Sequence, residues 1–361
     1  MVKFDKVCSL KIKGIAIILM LFHHLFRIPD LYKGYEIIWF PLSENLVVSL
    51  ADMSKICVAL FVFISGYGMA LKMKKSAKVK FADQLINLIS RFILLFIPIM
   101  IAGQFINQRP QNFYLSGNLF EGGVYLIVDM LGLSNLLGLT PYYGAYWYIS
   151  AAIVFIIISP IIYSLIKSKG GFFVLSIIVI LPRLLGIGYI PGNAIYPFLF
   201  SLALGCIFAD KNYMEKVLNW YPIKSANKWI NNLILLFLGI LCLIVSYYLY
   251  EALPIEKYWE ISWGIIPAIF LCFCAKFIVN IPIIGVLLEW LGKYSMNIYI
   301  IHVFYIGYFK DFLYSFKYFG IVVFLLVILS FLTSIILAKL EKPLLNLINN
   351  KLQAKKTEKT S

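Results

Sequence analysis

The sequence predicts an all-α polytopic membrane protein of about ten transmembrane helices with both termini cytoplasmic. Three observations predict it. Of the 361 residues, 62% are apolar and only 14% charged, whereas a soluble globule carries about 25% charge. Apolar stretches near the ~20 residues that cross a hydrocarbon core recur along the chain. The basic residues cluster between those stretches on alternate sides. A secreted disulfide scaffold and a disordered chain are excluded by the same composition. The net charge of +15 reads as membrane topology and not as a nucleic-acid face, because its lysines and arginines lie in short clusters between apolar runs. Six cysteines stand singly, with no CxxC and no metal-ligand spacing, so neither a disulfide framework nor a metal is expected.

The expected crossings centre on Leu19, Val62, Leu95, Phe155, Ile178, Leu202, Leu241, Phe270, Ile301 and Ile328. The first has Lys11 and Lys13 at its entry and lacks a small-residue cleavage site, so it reads as a retained helix. With the N-terminus inside, 24 of the 32 basic residues fall on cytoplasmic segments, and ten of the 17 acids fall outside or within helices; this bias sets the orientation. Residues 102–145 form the longest outer stretch. Its semi-apolar run from Val124 to Leu139, carrying Asp129, reads as an interfacial or re-entrant helix and not as a crossing. Residues 1–345 form the transmembrane domain, and 346–361 a polar, lysine-rich cytoplasmic tail that is disordered or lies on anionic lipid.

An ionisable side chain inside a bilayer costs about 2.5–3.5 kcal/mol on insertion scales, so each one asks for a reason. The chain has three histidines: His23 and His24 in the first crossing, and His302 in the ninth. His24 lies eleven residues after Lys13, a rise of ~16 Å and close to three helical turns, so the two share a face. His23 points about 100° away. His302, nine residues after Lys293, would reach a similar depth, and a neutral imidazole suits proton transfer there; hydrogen bonding between helices is the competing use. In the second crossing, Ser65, Gly66 and Gly68 permit close approach of a helix or a ligand. The following lysines, 72, 74, 75, 78 and 80, with Arg91, determine topology and are also able to hold phosphates of a cytoplasmic cofactor.

Four stretches in this order resemble the integral-membrane acyltransferase-3 family of bacteria: Lys13 to His24, Phe61 to Gly68, Trp147 to Pro160, and Leu291 to His302. The closing Glu341-Lys342-Pro343 is similar to that family's Glu-Arg-Pro ending. The resemblance implies ten helices, a bacterial cytoplasmic-membrane location, and transfer of an acyl group, usually acetyl from cytoplasmic acetyl-CoA, to a hydroxyl of an extracytoplasmic glycan or lipid-linked sugar. The family's first helix carries an arginine and an essential histidine, matched here by Lys13 and His24. Lysine keeps the charge and loses the two-pronged fork. The chain also lacks the family's third-helix Arg-x-x-Arg, having Arg91 alone, and has Ala151 and Ala152 where many members place a glutamate. It is therefore most similar to the short sugar acetylase branch.

The reading that follows is an O-acetyltransferase with acyl-CoA and a sugar as partners in a lipid bilayer. His24 is the expected general base. Lys13, Lys72, Lys74, Lys75 and Arg91 are expected to hold CoA phosphates, and His23, Ser65, Asn297, Tyr299 and His302 are the candidates to orient the acceptor or stabilise the oxyanion. Tyr146 and Trp147 are candidates to stack on sugar rings, although aromatics also collect at membrane interfaces. Direct transfer and a two-step route through an acyl-histidine both fit. The alternative function is a membrane carrier for a small acid or amino acid built on the same helical body.

Overall fold

A computed structural model of the chain describes residues 3–76, 81–115, 117–187, 194–223 and 227–357. In chain order its helices are α1 (Lys6–Phe26), α2 (Glu44–Met53), α3 (Ile56–Lys75), α4 (Phe81–Asn107), α5 (Arg109–Tyr114), α6 (Leu119–Met130), α7 (Trp147–Lys169), α8 (Gly171–Leu184), α9 (Leu199–Asp210), α10 (Tyr213–Leu218), α11 (Lys228–Ala252), α12 (Ile255–Glu260), α13 (Ile266–Phe273), α14 (Pro282–Lys293), α15 (Ser295–Tyr308), α16 (Lys310–Tyr314) and α17 (Phe319–Thr357). The one β-type pairing among the described residues is an isolated bridge between Ile38 and Tyr318. The protein is an all-α polytopic membrane protein.

Every predicted crossing centre lies in a helix, but the crossings are not uniform. Seven helical stretches among the described residues are long and apolar enough to span: Lys6–Phe26, Glu44–Lys75, Phe81–Asn107, Gly144–Lys169, Lys228–Ala252, Ile255–Ile278 and Phe319–Leu347. Gly171–Leu184 and Tyr196–Asp210 are apolar but shorter. The ninth, expected to run from Lys293, is short: it is α15, of only 14 residues, preceded by the separate α14. The last helix continues through the polar segment to Thr357, because a helix once nucleated adds polar residues such as Asn, Gln and Lys at little cost. The tail expected from residue 346 therefore begins as helix, and residues 358–361 lie outside the described ones.

Local chemistry sets several starts. Asp5 caps α1 by accepting from the Cys8 N–H at 2.8 Å, Asn118 caps α6 through the Phe120 N–H at 2.9 Å, and Asn227 caps α11 through the Trp229 N–H at 3.0 Å. Gly170, at φ +91°, turns the chain between α7 and α8.

The chain divides into two compact units: residues 1–33, 39–79 and 154–293, and residues 34–38, 80–153 and 294–361. The first is organised by two antiparallel helix pairs, each locked by reciprocal glycines. On α1 and α14, a Cβ at Gly14 would overlap the Leu288 carbonyl, and one at Gly292 would overlap the Leu10 carbonyl. On α3 and α9, Gly66 meets the Leu202 carbonyl and Gly205 meets the Phe63 carbonyl. In lipid no hydrophobic force drives helices together, so backbones approach through small residues. Ser65 and Gly68 take no part in this contact. Ser65 is exposed and returns its hydroxyl to the Phe61 carbonyl at 2.8 Å, and a Cβ at Gly68 would meet nothing within 4 Å.

In the second unit α4, α15 and α17 share a buried polar tie. Arg91 Nη2 donates to Asn297 Oδ1 at 2.9 Å, Asn297 Nδ2 donates to Glu341 Oε1 at 3.2 Å, and Arg91 Nη2 lies 3.7 Å from Glu341 Oε2. The outer stretch is anchored by Asp129, 1% exposed, which accepts from the Tyr114 hydroxyl at 2.6 Å, the Ser134 hydroxyl at 2.8 Å and the Tyr142 N–H at 2.7 Å.

Two substitutions test this packing by thermal unfolding of the detergent-solubilised chain. Gly292→Val is expected to cost about 1–3 kcal/mol by forcing α1 off α14, whereas Gly68→Ala, on an open face, stays within about 0.5 kcal/mol of the parent. Glu341→Ala leaves Arg91 facing a pocket without a counter-charge. With the arginine side chain 34% exposed, the expected loss is at the low end for broken buried pairs, about 3 kcal/mol.

Candidate active site

Helix α1 is unbroken over 21 residues, so the Lys13 and His24 spacing translates directly into a shared face with a rise of ~16 Å. Both side chains are half-buried. His23, 6% exposed, turns to α2, where its Nδ1–H donates to the Ala51 carbonyl at 2.7 Å. The two rings sit edge to face, 5.2 Å apart at 76°. His23 thus joins two helices, and the hydrogen bond fixes the plane against which His24 is held.

The two ends of the first unit differ in character. At one end, Phe4 packs edge-on to Tyr67 at 5.0 Å, which brings the start of α1 beside the end of α3 with its Lys72, Lys74 and Lys75. Lys72 and Lys75 are exposed. Lys74 Nζ instead donates to the Ala209 and Asp210 carbonyls at 2.6 and 2.8 Å and to Asn212 Oδ1 at 3.4 Å, capping the C-terminus of α9, where a cation opposes the negative end of the helix dipole. Lys276 does the same for α10, donating to the Leu218 and Trp220 carbonyls at 3.0 Å each. Lys78 and Lys80 lie outside the described residues.

At the other end, Arg27 Nε donates to Asp52 Oδ1 at 2.8 Å and the Tyr250 hydroxyl donates to Asp52 Oδ2 at 2.8 Å. Lys55, at the break between α2 and α3, is 8% exposed, with Nζ 5.6 Å above the Trp263 ring. Arg27, the C-cap of α1, lies three residues after His24, and Lys55 faces Trp263. Sequence reading set them aside among the outer and intrahelical charges. The available signal was a lysine at the mouth of an apolar run, Ile56 to Ile64, three residues after an aspartate.

The remaining candidates belong to the second unit. Asn297 is fully buried in the tie with Arg91 and Glu341. His302, 0% exposed, donates from Nδ1–H to the Tyr299 carbonyl at 2.6 Å. The Tyr299 hydroxyl donates to the Ala145 carbonyl at 2.5 Å and the Tyr146 hydroxyl to the Ile300 carbonyl at 2.9 Å, so these two phenols clamp the turn before α7 to α15. Trp147, 8% exposed, opens α7. Glu341, quoted only as part of an ending, and Asp129, noted only as a charge in a weak helix, are the polar hubs that sequence reading passed over. Burial pushes the Asp129 carboxyl above the usual carboxylate range, while its three donors pull it back. Among the described residues no group of three or more His, Cys, Asp or Glu side chains is arranged to hold a metal.

A family model described as an acyltransferase domain matches residues 12–339. No curated protein matches the chain, and no solved structure does. The matched span opens one residue before Lys13 and closes two before Glu341, so it takes in α1 from Ile12 onward, with Lys13 and His24, and all of α3, α4, α9, α14 and α15. The chain belongs to the acyltransferase-3 family.

Proposed function

We propose that this membrane acyltransferase is an O-acetyltransferase of the sugar acetylase branch, acting in the bacterial cytoplasmic membrane, with acetyl-CoA as donor and a hydroxyl of an extracytoplasmic glycan or lipid-linked sugar as acceptor. The observation that carries the proposal is His24 itself. It is a half-buried imidazole on the same helix face as Lys13, with lysines gathered at the donor end of the unit and Arg27 and Lys55 at the other. His24 Nε2 or Nδ1 accepts the acceptor hydroxyl's proton as that oxygen attacks the thioester carbon. The C–O bond forms, the C–S bond breaks, and the departing thiolate takes the proton back from the imidazolium, giving an ester and a free thiol. His23 is a positioning residue in this scheme, because its bond to the Ala51 carbonyl holds α1 against α2.

The donor's phosphates need cations at its end of the unit. Lys13, Lys72 and Lys75 are assigned to them on this reading, while Lys74 caps α9 and Arg91 is tied to Asn297 and Glu341. Ser65 and Gly68 lie one to two turns before Lys72 on the open face of α3, which leaves that face free to run beside the acyl arm.

Two measurements test this reading on membrane vesicles given labelled acetyl-CoA. His24→Ala is expected to lower the transfer rate by about 10²–10⁴-fold while the protein stays inserted; a parental rate in that variant removes His24 as the base. Lys13→Gln is expected to raise KM for acetyl-CoA about tenfold with a smaller effect on kcat, and Lys13→Arg to keep KM near the parental value. A KM unchanged in Lys13→Gln excludes phosphate contact by this residue.

A further inference from the structure

The stretch that follows α4 in the second unit carries a cation with no carboxylate within ion-pair distance among the described residues. Helix α4 has 27 residues, a rise of ~40 Å, which covers the hydrocarbon core and the headgroup layers on both sides. Gln108 then turns the chain with a left-handed backbone, φ +56°, and Arg109 follows at headgroup level. A long basic side chain at that depth ordinarily extends its head towards water. This one is folded back. Its Cζ lies 4.6 Å from the centre of the Tyr143 ring and 5.2 Å from that of Tyr142, and its Nη2 donates to the Tyr142 carbonyl at 3.0 Å.

That setting satisfies only part of the group. A guanidinium has five N–H donors, and among the described residues its side-chain acceptor is the Tyr142 carbonyl, while Nε is buried without a partner. The ring quadrupoles attract the charge but supply no anion. Asp129, which also bonds Tyr142, is engaged elsewhere: its oxygens accept from the Tyr114 and Ser134 hydroxyls and the Tyr142 N–H. The Tyr143 side chain, 6% exposed, adds a second group of this kind, since its hydroxyl is buried with no partner among the described residues. Two unsatisfied donors on side chains in direct contact are destabilising unless an acceptor joins them. The surroundings indicate which acceptor. At headgroup depth the abundant anion is phosphate, and Phe105 and Ile106 at the end of α4 and Leu119 and Phe120 at the start of α6 stand exposed, with α5, the helix that Arg109 opens, packed on both.

We propose that Arg109, held by Tyr142 and Tyr143, is a binding site for the phosphate of an amphiphile whose apolar chain lies along the exposed side chains of α4 and α6. The site goes beyond the acyl-transfer reading and does not depend on it, because all its residues belong to the second unit. Phosphate oxygens accept from the planar fork of the guanidinium, a two-pronged contact that an ammonium cannot make, and the Tyr143 hydroxyl is a further donor. Two sources share this chemistry: the phosphodiester headgroup of a bilayer lipid, and a phosphate monoester on a long-chain alcohol.

Retention of labelled lipids on the immobilised full chain, in a neutral detergent and without acetyl-CoA, tests it. Farnesyl phosphate is compared with farnesol, and dioleoylphosphatidylglycerol with dioleoylglycerol. The parent is expected to bind at least one phosphorylated probe about tenfold more tightly than its neutral counterpart. Preference in the first pair alone identifies a monoester, in the second alone a headgroup, and in both a site that reads the phosphate itself. Arg109→Gln should abolish the preference, Arg109→Lys should keep only part of it, and Tyr143→Phe, which removes one hydroxyl and leaves the ring, should weaken it a few-fold. Should Arg109→Gln fail to fold, Arg109→Lys and Tyr143→Phe read the same loss. Equal binding within both pairs by the parent overturns the proposal, as does a preference undiminished in folded Arg109→Gln or, where that variant does not fold, in both of the others.

Discussion

The close contact between the backbones of α1 and α14 is the constraint on which the first unit depends. With Gly14 against the Leu288 carbonyl and Gly292 against the Leu10 carbonyl, α1 cannot rotate about its axis without driving a Cα into a carbonyl oxygen. A rotation of one residue's pitch, about 100°, would exchange the positions of His23 and His24. The His23 bond to Ala51 fixes the same rotation at the opposite end of the helix. Two unrelated interactions, one a backbone contact without polar character and one a single hydrogen bond, therefore determine which of two adjacent imidazoles turns to α2 and which shares the face of Lys13.

The lysines of the first unit follow from a second constraint. Helix C-termini leave four carbonyls without intrahelical partners, and near lipid water does not reliably satisfy them. Lys74 and Lys276 satisfy those of α9 and α10, and Lys11 Nζ donates to the Val279 carbonyl at 3.1 Å beside the start of α14. Charges that a positive-inside count treats as equivalent are thus of two kinds. Some terminate helices from within the fold, as Lys74 and Lys276 do; others, such as Lys75, lie on its exposed surface.

The all-α class, the crossing centres and the Lys13–His24 face were legible because they rest on composition and helical period, which are local properties. The short ninth crossing was not, because Phe309, Phe312 and Leu313 continue the apolar pattern past the end of α15 at Tyr308. Nor were the hubs. Arg91 and Asn297 were each singled out for a ligand, but their bonds to one another and to Glu341 join positions up to 250 residues apart, which a single sequence does not encode pairwise. Lys55 was visible as a charge at the mouth of an apolar run, but its place over the Trp263 ring comes from tertiary packing. Pro267 is the instructive case: the residue was present in the sequence, and its consequence for the Trp263 carbonyl follows from four-residue helix bonding, yet only the structure supplies Ser201 as the replacement donor.

On the proposed reading, donor end, base and acceptor end are all borne by α1 and the helices locked to it. Lys13 and the exposed lysines of α3 lie at one end, His24 stands about three turns on, and Arg27 follows three residues later. The second unit contributes polar groups that are consumed internally, Arg91 by Glu341 and Asn297, Tyr146 and Tyr299 by backbone carbonyls. Buried polar atoms without a hydrogen-bond partner among the described residues occur in both units, Ser262 Oγ and Trp263 Nε1 in the first and the Tyr143 hydroxyl and Ser330 Oγ in the second. An unmade buried bond therefore does not by itself single out the unit that carries His24; what singles it out is the face that His24 shares with Lys13 on an unbroken helix.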